Sequence, residues 1–387
     1  MRILIVNRAL GTLFGGGESF DLTAARYLEK RGHAVTLITG KPLFSPPNLR
    51  YGDMRVLYVR APALRGCAYH LERTSAKLSA FFCHLDLYLF EMAVFAWLRK
   101  NPQERFDIVQ MCSLFCLPQK ILSKFNIPCV SWLPGPPSGL TRRQIRKLAR
   151  REGFSLFAHG APEDSLRDMG LRKGHEYEII EPGVELEAID HAEDVDAAAG
   201  KARLGLAATD LLGVTIARLV PVKNHALLLE GIALAGKAGT VWNWVFAGDG
   251  PLCGELKEQA RRLGIERQVR WLGRQGRAEV YRLLRICDLS ALTSRYENFS
   301  IAALESWAHR RPVIGTSVGY LQHLVRESGG GETVAPGDAR ELAEALARMT
   351  NPEMRAEYGR RGRAFVERLD WPRIAERLEN LYQKTIK

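Results

Sequence analysis

Tyr296-Glu297-Asn298-Phe299-Ser300-Ile301-Ala302-Ala303-Leu304-Glu305, preceded by the apolar run Leu289–Leu292, reads as strand, loop and helix in that order. Leu289–Leu292 has the length and apolarity of a strand buried on both faces. Asn298 or Ser300 can cap a helix, and Ala302, Ala303 and Leu304 are good helix formers. A strand passing through a short loop into a helix is half of a βαβ unit, so the stretch points to a parallel sheet.

The same alternation recurs in both directions. Upstream strands are expected at Ile3–Val6, Val35–Ile38, Val56–Val59, Ile108–Met111, Cys129–Trp132 and Ser155–Ala158. A second series comprises Gly213–Ile216, Trp244–Ala247, Val269–Leu272, Leu289–Leu292 and Val313–Gly315. This is more than one sheet usually holds, so the 387 residues are expected to form two α/β domains. The break falls at Ile180-Glu181-Pro182-Gly183-Val184, where Pro-Gly stops a strand and an acidic, Ala-rich stretch follows. The expected division is 1–182, 183–368 and a terminal helix, 369–387, that returns to the first domain.

Composition narrows the class. With 46% hydrophobic and 25% charged residues the chain is an ordinary globular protein. The start, Met-Arg-Ile-Leu-Ile-Val, is too short for the apolar core of a signal peptide. Seven scattered cysteines complete no zinc pattern and are expected to be reduced thiols in a cytoplasmic protein. A net charge of +12 suits polyanionic partners, an anionic membrane surface or phosphorylated ligands. No nucleic-acid motif accompanies it, and no nucleic-acid partner is expected. Asp86, Glu91 and His84 argue against Phe81–Leu98 spanning a membrane and favour a buried or membrane-touching helix. Leu140–Arg151 reads as a helix whose cations recur every four residues beside Ile145 and Leu148. Such a face suits an anionic bilayer, which would place the protein peripherally on the inner face of the cytoplasmic membrane.

Chemistry concentrates at the expected carboxyl ends of strands. Gly15, Gly16 and Gly17 follow the first strand, and a helix is expected from Glu18 or Ser19. Their backbone can approach a phosphate or sugar closely. After Gly213–Ile216 come Arg218 and Lys223, five residues apart across a turn stiffened by Pro221. One offers a fork and the other a point charge, and together they can clamp a diphosphate. Gly248 and Gly250, then Arg274, sit on two further strand-end loops. Glu297 and Glu305 are eight residues apart, the second expected about two turns into the helix, which separates them by roughly 12 Å at ~1.5 Å per residue. That span matches the sugar and ribose ends of a nucleotide-activated sugar, with free helix amides available to its diphosphate. Asp194-Val195-Asp196 has the D-x-D spacing of a metal site but lies in the acidic linker, so neither a metal nor a cofactor is expected.

Arg218, Lys223, the two glycine turns and the two glutamates, in this order, closely resemble the second domain of family 4 retaining glycosyltransferases, of glycosyltransferase group 1. Gly16-Gly17-Glu18 resembles the family's first-domain glycine loop. Ile180–Val184 resembles its interdomain segment, and Leu369-Asp370-Trp371 its entry to the terminal helix. The resemblance implies the GT-B fold: two Rossmann-like domains facing across a cleft, with the C-terminal helix packing back on the first. It implies a metal-independent retaining hexosyltransferase that uses a UDP- or GDP-linked sugar. The acceptor would be a glycan or lipid-linked, in cell-envelope or exopolysaccharide synthesis. Arg218 and Lys223 would neutralise the departing diphosphate. Glu297 would read the sugar, the Asn298, Phe299 and Ser300 amides would support sugar and phosphate, Glu305 would hold the ribose, and Arg274 would lie near the base. The chain departs from the family at Pro134, where histidine is frequent, and at Arg310, Tyr320 and His323. Two other readings stand beside this one: a non-hydrolysing nucleotide-sugar epimerase of the same fold, and an inactive binding protein.

Overall fold

A computed structural model describes residues 1–8, 10, 16–40, 54–62, 64, 75–112, 116–133, 135, 137, 139–159, 162–191 and 196–387. It divides into two compact units, Met1–Pro182 with Trp371–Lys387, and Gly183–Asp370.

The first unit is built on a seven-stranded parallel sheet of order β3-β2-β1-β4-β5-β6-β7. Its strands are β1 (Arg2–Val6), β2 (Ala34–Gly40), β3 (Arg55–Val59), β4 (Ile108–Cys112), β5 (Cys129–Leu133), β6 (Phe154–Ala158) and β7 (Tyr177–Ile179). The helices between them are α1 (Gly16–Lys30), α2 (Ala76–Lys100), α3 (Leu117–Phe125), α4 (Gly139–Leu148) and α5 (Pro162–Asp168). Alternate strand residues point to opposite faces. Leu4, Val6, Val109, Met111, Leu133 and Leu156 meet Phe90, Val94 and Leu98 of α2, Leu117 and Ile121 of α3, and Ile145 and Leu148 of α4. These three helices therefore share one face of the sheet.

The second unit carries a six-stranded parallel sheet of order β10-β9-β8-β11-β12-β13. Its strands are β8 (Leu212–Ile216), β9 (Asn243–Ala247), β10 (Val269–Gly273), β11 (Leu289–Leu292), β12 (Val313–Thr316) and β13 (Gly331–Val334). Its helices are α6 (Leu186–Asp190), α7 (Ala197–Arg203), α8 (His225–Lys237), α9 (Cys253–Arg262), α10 (Arg277–Ile286), α11 (Ile301–Ala308), α12 (Leu321–Ser328), α13 (Ala339–Arg348) and α14 (Pro352–Val366). Strand order reverses between β8 and β11, and it is at such a reversal that a crevice opens over the carboxyl ends of a parallel sheet.

The last helix, α15 (Trp371–Ile386), belongs to the first unit. Trp371 stacks on Tyr27 of α1 and packs at a tilt against Phe20. Beneath them runs a buried polar chain. Tyr382 donates to Gln110, Gln110 donates to Asp21 (2.8 Å), and Asn7 donates to the same carboxylate (2.7 Å). Each member has its partner, as a buried network requires.

Several expectations change. Gly16 and Gly17, expected in a loop, form the first turn of α1, because the helix starts earlier than Glu18; Gly15 lies outside the described residues. Lys223 stands in a short 3-10 turn, Pro221–Lys223, and α8 begins two residues later, after Asn224 turns the chain through φ 48°. Asp194 and Val195 also lie outside the described residues, while Asp196 caps α7 through Ala198 N at 3.0 Å.

Candidate active site

Four strand-end loops of the second unit carry the residues singled out above. The loop after β8 leaves the sheet beside that of β9: Ala217 N donates to Ala247 O (3.3 Å) and Leu219 N to Asp249 O (2.9 Å). The approach is close enough that a Cβ on Gly248 would sit 1.8 Å from Ala217 O, and one on Gly250 2.4 Å from Leu219 O. Backbone packing alone therefore accounts for both glycines. His225, buried at the start of α8, holds the same loop by donating from Nε2 to the Arg218 carbonyl at 3.0 Å. A carbonyl only accepts, so the ring proton is on Nε2. Burial, with Lys223 nearby, lowers this histidine to about 4, and it is neutral at pH 7. The Arg218 side chain is exposed above it.

The loop after β11 is stitched to the loop after β8. Thr293 Oγ1 donates to Asn224 O (3.1 Å), and Arg295 N to Val222 O (2.8 Å). Lys223 Nζ donates to Glu297 Oε2 at 2.6 Å, across 74 residues of sequence. Ser294 Oγ donates to the same carboxylate oxygen at 3.0 Å, and Tyr320 N to the Glu297 carbonyl at 2.9 Å. Gly319 makes that last bond possible, because at φ +50° a Cβ there would lie 2.2 Å from Glu297 O. Lys223 and Glu297 keep 23% and 11% of their side-chain surface. The pair is half-dry yet open to a ligand, and the ammonium has donors beyond the one given to Glu297.

Ser300 is the cap of α11, accepting from Ala303 N at 3.3 Å. Because the helix starts at Ile301, Glu305 is its fifth residue, a little over one turn inside rather than two. The first-turn amides of Ile301 and Ala302 have no intrahelical acceptors. Tyr296 donates to Asn298 Oδ1 at 2.6 Å, and Phe299 is buried and stacks on Tyr320 (5.8 Å between centroids). The surroundings of Glu305 are dense enough to raise its carboxyl to about 7, with Arg277 pulling the other way. Arg277, which the motif reading passed over, also pairs with Glu185. No sequence pattern marks it. Ser294 was likewise missed, although its place three residues before Glu297, at the end of a strand, was a usable signal.

Lys223 and Glu297 are thus brought into contact, with Arg218, Asn298 and Ser300 on the same two loops. Arg274 is exposed at the carboxyl end of β10, two strands from β8 in the sheet. Gly16 and Gly17 belong to the other unit. Beside the pair lies a pocket of ≈ 440 Å³, lined by Asn224 and Glu230 at the cap and on the body of α8, and by Ser294, Arg295, Thr316 and Gly337 following β11, β12 and β13. Among the described residues no group of three His, Cys, Asp or Glu side chains could hold a metal ion.

Two parallel-sheet units with polar side chains gathered at a switch point define an α/β protein of the GT-B class. The solved structure of Alr3699/HepE from Anabaena, in complex with UDP and glucose, matches over 99% of this chain and 100% of that one, with a TM-score of 0.75 at 18% identity. Residues 198–365, most of the second unit, match the family described as glycosyl transferases group 1. A D-inositol 3-phosphate glycosyltransferase of Saccharomonospora viridis is 30% identical over 217 residues, 54% of this chain and 50% of its own length. EpsF of Bacillus subtilis, a glycosyltransferase by name, is 36% identical over 176 residues, 44% of each chain. The chain spans about half the length of the curated relatives it matches.

Proposed function

We propose that this protein transfers a hexosyl group, with retention and without a metal, from a UDP- or GDP-linked sugar to a glycan or lipid-linked acceptor of cell-envelope or exopolysaccharide synthesis. The observation that carries the reading is the Lys223–Glu297 contact at the β8/β11 reversal, next to the open amides of α11. When the glycosidic bond to phosphate breaks, negative charge develops on the departing diphosphate. Lys223, the Arg218 fork and the α11 amides lie ready to stabilise it, and preorganised charge of this kind is the main lever in such transfers. Glu297, held by Ser294, accepts from sugar hydroxyls. Glu305 takes the ribose and Arg274 the neighbourhood of the base. The departing phosphate oxygen takes the acceptor's proton on the face it leaves, which retains configuration. Acceptor binding is assigned to the first unit, with Gly16 and Gly17. The UDP complex of HepE supports a nucleotide donor, and the +12 net charge suits phosphorylated ligands.

The test is a donor panel. UDP- and GDP-sugars are offered with candidate acceptors, and released nucleotide and product anomer are measured. One base class should release, with retained configuration. Its nucleoside diphosphate at a hundredfold over Kd should stabilise the fold by about 2.7 kcal/mol. Neither release nor stabilisation by any nucleotide would remove the proposal. Interconversion of a free nucleotide sugar without acceptor would make the protein an epimerase, and stabilisation without release a binding protein.

The raised carboxyl of Glu305 gives this reading a pH signature. Its native value of about 7 lies above the ordinary 4.5, so the fold favours the neutral form. That contribution to stability is whole below the ordinary value and is lost as pH rises through about 7. Ribose hydroxyls donate to the anion and favour the opposite form. Nucleotide binding should therefore release a proton and tighten as pH rises towards 7, by at most about tenfold per unit. Calorimetry on Glu305→Gln should lose that component while keeping whatever comes from the phosphates themselves. Identical pH profiles for the two proteins would take Glu305 out of the ribose site.

A further inference from the structure

The outer surface of α2 inverts the usual order of a surface helix. Its acidic residues face inward. Asp86 is fully buried and accepts from Arg8 Nε and Nη2 (3.1 and 3.0 Å) and from Leu64 N (2.8 Å). Glu91 is buried too and accepts from Cys116 N and Leu117 N (2.7 and 2.8 Å), closing the start of α3. Its apolar residues face outward. Leu78, Phe81 and Tyr88 are 42%, 58% and 40% exposed, on the helical spacing that also carries half-buried Leu85 and Met92.

The helices that share this sheet face add charge of one sign. α3 presents Lys120 and Lys124, and Lys120 lies over Phe95 of α2 at 5.4 Å. α4 buries Ile145 and Leu148 and exposes Arg143, Arg146 and Lys147; the turn after it exposes Arg150 and Arg151 beside one acid, Glu152. Neither α3 nor α4 contains an acidic residue. Between Ala76 and Leu148 these three helices expose no acid among the described residues.

We propose that this face docks on an anionic lipid bilayer, with α2 lying in the interface and α3 and α4 meeting the phosphate headgroups. Phe81–Lys100 is long and apolar enough to cross a membrane. Yet Phe90, Val94 and Leu98 are committed to the core, and both acids are bonded within the unit. The helix therefore lies on the membrane rather than through it. The inference stands apart from the reaction, because docking needs neither donor nor acceptor.

Flotation of the full chain with phosphatidylcholine vesicles, with and without phosphatidylglycerol, tests it. Protein should float only with the anionic vesicles, and raised salt should weaken the association several-fold. Arg143→Glu/Arg146→Glu/Lys147→Glu should lower the bound fraction roughly tenfold or more. Phe81→Ser/Tyr88→Ser should also lower it, with melting temperatures unchanged in both variants. Absence of flotation at low salt overturns the proposal, as does flotation that neither variant alters. A self-associating protein that Phe81→Ser/Tyr88→Ser dissociates, without flotation, would make the face a contact between copies and overturn it equally.

Discussion

Lys223→Ala should lower turnover roughly a thousandfold, with a much smaller change in KM. In the proposed reaction the ammonium would work mainly after the glycosidic bond begins to break, when the diphosphate gains charge, so its loss should be felt most in the transition state. A second consequence has to be separated from this one. Glu297 is nearly buried, and without Lys223 its carboxylate keeps Ser294 as its side-chain donor. A desolvated charge deprived of its counter-ion costs on the order of 1–3 kcal/mol. Lys223→Ala alone could therefore fail through misfolding. Lys223→Ala/Glu297→Gln removes both charges and should recover most of the stability while leaving turnover as low as before. Nucleotide release and thermal unfolding on the three proteins decide the matter. A single variant that retains more than a tenth of wild-type turnover would remove Lys223 from the leaving-group site.

The pair also shows what the sequence could and could not convey. A cation after Gly213–Ile216 and an acid after Leu289–Leu292 were both legible, because each follows a run of residues buried on both faces. That they touch depends on β8 and β11 being neighbours, although β9 and β10 intervene in the chain. Only the reversal of strand order makes that true. Strands at the sheet centres were readable to within a residue or two. β7 and β13 were not: both are short edge strands broken by polar residues or glycine, Glu178 in one and Gly331, Glu332 and Thr333 in the other, whereas the edge strands β3 and β10 keep a legible apolar run. The helical register of Glu305 was misread because Asn298 and Ser300 are both competent caps and only packing selects Ser300. Arg277 had no chance of being found, since its partner Glu185 comes from a segment ninety-odd residues upstream. In α2 the acids were visible as an argument against a spanning helix, but nothing in their spacing told that they point inward.

Asp86→Ala tests that last point and should be among the most destabilising single changes in the first unit, by about 3–5 kcal/mol. Arg8 and Asp86 are 6% and 0% exposed. Their bond is bidentate, Arg8 also donates to Pro62 O at 2.9 Å, and the guanidinium lies 5.4 Å from the Phe90 ring. It also fills the space over Gly40, where a Cβ would meet Arg8 Nη1 at 1.7 Å. Removing Asp86 strands a buried cation and leaves Leu64 N without its carboxylate. The cost arises from that stranded charge rather than from any large net gain the pair gives the wild type, because taking both ions out of water offsets most of their attraction. Arg8→Met/Asp86→Leu, which replaces the pair by apolar side chains of similar length, should therefore recover most of the loss or exceed the wild type. Denaturant unfolding of the three proteins reads the difference directly. A loss below about 1 kcal/mol in Asp86→Ala would mean the site admits water and the pair behaves as a surface bridge. The apolar outer face of α2 would then no longer be the face left over once its charges are committed inward.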